Sequence, residues 1–280
     1  MGKRRDGLAA FFALVFGYTW GLAALYALSP ATVGAISSST TSASRSMYAN
    51  PLLISAVSSP DLAALIVAAF LGRASIADLI KRLLTWRIAW YWYIASVADI
   101  GALALAARMV SFFAFGSALP QLSIGHWPAL AAGVAVATVL DPGPFSEEFG
   151  WRGFALPRLQ ERSNGLTAAL VLGGIWVVWH LPAFFISGMG QSRIPIWTFA
   201  ITDVSVSVLM TWVVNRARGS VLPAILMHWS INRFNDLHYP GAMMTALVFA
   251  VGAITVVMIV GTDLGATSDL VTERGARAVT

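Results

Sequence analysis

Leu8–Leu28 is a run of 21 residues without a single charge, and Lys3-Arg4-Arg5 stand in front of it. Coiled as a helix it reaches roughly 30 Å, the thickness of a bilayer's hydrocarbon core. It exceeds the apolar region of a secretory signal, so it reads as a retained first membrane helix. Runs of similar length recur at 52–71, 88–110, 122–140, 166–186, 194–214, 221–237 and 242–260. A chain built this way is expected to be all-α, a polytopic membrane bundle of about eight transmembrane helices.

Composition agrees. Of 280 residues, 58% are hydrophobic and 11% charged, with a mean hydropathy of +0.73, whereas soluble domains carry about a quarter charged residues. There is no cysteine, which excludes disulfides and thiolate chemistry. The net charge of +5 does not point to nucleic acid, because the basic residues fall in short loops rather than on one soluble face.

Several stretches depart from the plain pattern. Ser58-Ser59-Pro60-Asp61 interrupts the second run, and proline there suits a helical first turn. Residues 72–87 form a basic amphipathic stretch, with Leu79, Leu83 and Leu84 against Lys81 and Arg82, and read as an interfacial helix. Trp90-Tyr91-Trp92-Tyr93 reads as an interfacial aromatic belt. Gly17 and Gly21 have the spacing of a close helix contact and are assigned to internal packing. Asp141-Pro142-Gly143-Pro144 breaks the fourth run, and a second helix is expected from about Phe145 to Glu161. The chain divides into residues 1–121, a core at 122–240, and a last span with a polar tail at 241–280.

Eight spans with the N-terminus inside put thirteen basic residues on the inner face. The outer face then holds four, Arg45, Arg108, Arg193 and Arg233, with Arg152 set aside. The positive-inside rule therefore predicts both termini in the cytoplasm.

Ionisable groups inside spans are expensive and usually functional. The densest cluster is Pro144–Arg152, which reads P-F-S-E-E-F-G-W-R. Glu147 and Glu148 are helical neighbours and point about 100° apart. Glu148 and Arg152 lie at i,i+4 with the acid first, the favourable direction for a pair. Glu147 is then the freer carboxylate, suited to act as a general base on water. Taking the hinge at Ser163-Asn164, Glu147 and His180 lie equally far from it, so antiparallel helices bring them to one depth. Trp176 lies one turn from His180 on the same face. His228 and Asn232, at i,i+4, share a face and can present two donors to one oxygen, as an oxyanion hole requires. On the same counting His228 lies roughly 10 Å shallower than Glu147. Asp99 and Asp203 read as buried packing groups, with Asp203 nearer the cavity.

Glu147-Glu148-x-x-x-Arg152, then an aromatic in Trp176-x-x-x-His180, then His228-x-x-x-Asn232 together resemble the CPBP family of intramembrane proteases. That family includes type II CAAX prenyl endopeptidases and bacteriocin-processing or immunity proteins of the Abi kind. The resemblance covers about 122–237. It implies that Glu147 activates water with help from His180, that His228 and Asn232 stabilise the oxyanion, and that Glu148 and Arg152 support them. Trp176 stands where the family usually has phenylalanine.

Two histidines and a glutamate can also form a three-ligand zinc site, here Glu147, His180 and His228. The ligands would come from three separate helices without an HExxH spacing, and a metal-free mechanism is equally tenable. The expected partners are a peptide or membrane-protein tail and the lipid bilayer, with no nucleic acid; CAAX-type processing is one form of the activity. Two other readings stand beside it. One is a non-catalytic immunity or scaffold protein. The other is a proton-coupled transporter using Glu147, Asp99 and Asp203, against which no inverted repeat is seen.

Overall fold

The computed structural model describes residues 6–28, 51–117, 142–186, 189–234 and 241–266. In chain order the helices are α1 (Leu8–Leu28), α2 (Pro51–Val57), α3 (Ser59–Leu71), α4 (Arg73–Leu84) and α5 (Tyr91–Phe115). Next comes α6 (Pro142–Glu148), which runs into a π-helical segment (Phe149–Ala155) and then α7 (Leu156–Gln160). The rest are α8 (Gly165–Trp179), α9 (Leu181–Phe184), a 3-10 turn (Gly190–Arg193), α10 (Ile196–Arg216), α11 (Leu222–Phe234) and α12 (Gly241–Val260). No strand occurs among the described residues.

The protein is an all-α, multi-pass integral membrane protein. Leu8–Leu25 within α1, together with α5, α10 and α12, are long and apolar enough to cross a bilayer. At 13 and 15 residues, α3 and α8 reach only about 20 and 22 Å and fall short of a span alone. The expected fourth run at 122–140 lies outside the described residues, as do the loop at 30–50 and the end of the tail.

Apolar packing against lipid gives helices little reason to associate, so close contacts and polar bonds must hold them together. In one row α8 packs on α10, α10 on α12, α12 on α5, and α5 on α11. Gly173 permits the α8–α10 contact, because a Cβ there would come within 3.0 Å of the Val204 backbone. On the other side α1 pairs with α3, and the π segment is packed between α3 and α4. Phe11, Trp151, Phe154, Leu172, Met210 and Met227 fill the centre.

The second run is broken as its sequence suggests. Pro60 has no N–H to offer the carbonyl of Ala56. The hydroxyl of Thr19 in α1 donates to that carbonyl instead, at 3.2 Å, and lies 2.6 Å from the Ser59 hydroxyl. Irregular backbone at membrane depth is tolerated where protein satisfies it. The stretch at 73–84 is helical, but its apolar face is narrower than expected: Leu79 is fully buried and Leu83 partly, while Leu84 is exposed. Among the described residues the Gly17/Gly21 contact is not found. A Cβ on either glycine would meet nothing within 4 Å, so this face of α1 makes no close contact among the described residues. Trp90 and Tyr91 are exposed, as a belt requires, whereas Trp92 packs on Trp212 at a ring distance of 5.5 Å.

Candidate active site

Pro142 and Pro144 occupy the first turn of α6, where an N–H has no ladder partner to lose. The helix therefore starts three residues earlier than expected and carries Glu147 and Glu148 at its end. All three charged residues of the motif are buried, Glu148 and Arg152 completely.

The expected pair forms. Arg152 Nη1 sits between the two oxygens of Glu148, 3.0 Å from Oε1 and 2.9 Å from Oε2. The guanidinium carbon also lies 4.5 Å from the Trp176 ring centroid, a cation–π contact. Glu148 has a second partner that spacing did not reveal: His228 Nδ1 donates to its Oε1 at 2.8 Å. A carboxylate can only accept, so the proton is on Nδ1 and Nε2 is left for other work.

The hinge lies where the sequence puts it. The Asn164 side chain caps α8 by accepting from the Thr167 N–H at 2.8 Å. The antiparallel return brings Trp176 against Glu147, and its indole Nε1–H donates to Glu147 Oε2 at 2.9 Å. His180 ends α8, two residues before Pro182, and its Nδ1 lies 3.0 Å from the Trp176 carbonyl oxygen. A carbonyl cannot donate, so this nitrogen holds the hydrogen and Nε2 is a free acceptor in the neutral ring. The Trp176 ring meets both histidines edge-on, with centroids 5.6 Å from His180 and 5.2 Å from His228.

The expected shallowness of His228 is corrected. Its bond to Glu148 puts both at one level. The turn before α11 is tied to the end of α4, where the Val221 N–H donates to the Arg82 carbonyl at 3.2 Å. Asn232, one turn beyond His228, is exposed rather than enclosed with the buried cluster. Asp203 of α10 is buried and its Oδ2 lies 3.8 Å from His180 Nδ1, too far for a hydrogen bond. That oxygen has no hydrogen-bond partner. Asp99 is only half-buried, on α5.

Sequence reasoning missed Asp61. It falls in the interruption of the second run, yet its Oδ1 accepts from the Gly150 N–H at 2.9 Å, inside the motif. The usable signal was a carboxylate in an apolar run. Among the described residues, no three His, Cys, Asp or Glu side chains come together to hold a metal ion. Glu147 spends Oε2 on Trp176 and His228 spends Nδ1 on Glu148. These bonds leave Glu147 Oε1 and the Nε2 atoms of His180 and His228 as the atoms a metal would take, although the three side chains do not converge on one point in this arrangement.

Residues 127–234 match the Rce1-like family, described as type II CAAX prenyl endopeptidase Rce1-like. A similar protein is the CAAX prenyl protease 2 of Methanococcus maripaludis, 33% identical over 86 residues, which is 29% of this chain. The match spans 32% of that relative's length. The matched residues include Glu147, Glu148, Arg152, His180 and His228, which the helices gather, and Asn232, which stands exposed on α11. Over residues 127–234 the chain is thus similar to the type II CAAX prenyl endopeptidases of the Rce1-like family, a match that supports the CPBP resemblance of its motifs.

Proposed function

We propose that this protein is an intramembrane endopeptidase that hydrolyses a peptide bond near the membrane surface. The observation that carries the reading is the meeting of Glu147 and His180 on the two ends of one residue: Trp176 binds the carboxylate with its indole N–H and the imidazole with its carbonyl. A water between Glu147 and His180 Nε2 finds one base and one acceptor. Glu147 takes a proton as the water oxygen attacks the scissile carbonyl carbon, and His180 orients the water through its other hydrogen. The carbonyl oxygen becomes an oxyanion. His228 can donate to it from Nε2 when its ring is doubly protonated, a form that pairs with the Glu148 carboxylate. Asn232 is the second donor in this reading, recruited when substrate covers the exposed end of α11. The C–N bond then breaks and Glu147 returns its proton to the departing amine.

The substrate is a peptide or a membrane-protein tail, with a CAAX-type C-terminus the form that the family's descriptions favour. The distribution of basic residues supports a site open to the cytoplasm.

The test is cleavage by the full chain in liposomes, using farnesylated CAAX-ending peptides and their unprenylated counterparts. Glu147→Ala and His180→Ala are each expected to lower kcat by at least ~100-fold while leaving thermal stability intact. Cleavage at the wild-type rate by either variant would overturn the reading. Activity should also survive a strong chelator, alongside metal analysis of the purified protein. Loss on chelation with recovery on adding zinc would replace the metal-free mechanism. Wild-type protein that cuts no peptide, with a cellular phenotype that survives Glu147→Gln, would favour a non-catalytic partner.

A further inference from the structure

Gly150 stands between Glu148 and Arg152, one residue into the π segment. Its N–H is held from outside the helix by Asp61 Oδ1, at 2.9 Å. Side chains inserted into a helical ladder are a known cause of local distortion, and single π turns often mark functional sites. The approach is as close as backbones allow. A Cβ on Gly150 would lie 2.4 Å from the carbonyl carbon and oxygen of Pro60, so only glycine admits α3 here.

We propose that Asp61 is a positioning residue for the Glu147–Glu148 pair, its carboxylate fixing the α-to-π junction at Gly150 and so the angle at which Glu148 meets Arg152 and His228. This rests on the endopeptidase reading for its catalytic consequence. Asp61 lies outside the residues matched by the family, so the N-terminal helices contribute to the site rather than merely enclosing it.

A second contact runs the same way. Thr19 secures the break before Asp61 through Ala56 and Ser59. The same hydroxyl accepts from the Trp179 indole at 2.8 Å, and the Trp179 ring lies 4.6 Å from that of His180. The α1–α3 pair thus braces the glutamate helix through Asp61 and the histidine helix through Thr19.

The experiment uses the full chain in lipid nanodiscs and two readouts. One is hydrogen–deuterium exchange over residues 145–155; the other is kcat and KM on a farnesylated CAAX-ending peptide. Asp61→Ala should speed exchange at the junction and lower kcat by about tenfold or more, with KM within about twofold. Asp61→Asn keeps an oxygen acceptor and should restore both. If Asp61→Ala does not fold, Asp61→Glu replaces it, since the added methylene misplaces the carboxylate; it should show the same two changes to a lesser degree. Wild-type exchange and kcat in Asp61→Ala, or in the Asp61→Glu that replaces it, would overturn the proposal, as would Asp61→Asn behaving like Asp61→Ala. If the wild-type protein cuts no probe, the endopeptidase reading fails. The exchange arm still decides the clamp: faster exchange in Asp61→Ala, restored by Asn, supports it, and unchanged exchange overturns it.

Discussion

Trp176 gives four charged or titratable groups a common neighbour. Its N–H binds Glu147, its carbonyl takes His180, its face carries Arg152 and its edge meets His228. Phenylalanine would keep the ring contacts and lose only the N–H. Trp176→Phe is therefore expected to lower kcat by about tenfold with KM unchanged, far less than Glu147→Ala, as read in the same peptide assay. Glu148 plays the complementary part for charge. Glu148→Gln leaves the fully buried Arg152 without a counter-charge, so the fold should lose about 3 kcal/mol or more, measured as a lowered Tm in detergent. An unchanged Tm would mean that Arg152 is neutralised elsewhere. At this scale much was legible: the i,i+4 pair and the matched depth follow from helical geometry alone. The Glu148–His228 bond was not, because it joins residues 80 apart on two helices whose relative placement only the folded chain sets.

The glutamate helix is one expected element that the structure divides into three. No periodic signal could have revealed the π segment, since Phe149–Ala155 are buried on every side and no polar stripe marks the ladder. Two glycines test the packing that results. Gly150→Ala drives a Cβ into the Pro60 backbone and should cost about 2 kcal/mol or more. Gly174→Ala meets nothing within 4 Å in α8 and should be neutral or stabilising by up to ~1 kcal/mol. Thermal melts of the two variants should thus diverge; equal melts would show that α3 and the π segment are not in contact. The broken second run was legible at Pro60 for the opposite reason, because proline removes a donor wherever it stands.

At the scale of the molecule, apolar run lengths announced a helical membrane protein, and most runs became helices within a few residues of their expected ends. Three short ones, α3, α8 and α11, carry polar work within or at the end of the helix: Asp61, His180 and His228. Asp61 reaches Gly150 across 89 residues, a contact that exists only in the folded chain. The buried Glu148 has a further consequence for how the protein is made. Glu148 and Arg152 lie within one turn, so these two charges can enter lipid as a neutral pair while the chain is still being synthesised. His228 emerges 80 residues later, and only then can the carboxylate gain its second donor. Biogenesis would then pass through an inserted but incomplete stage. A chain stopped before α11 should sit in the membrane with its helices loosely joined, open to the proteases that survey unassembled membrane proteins.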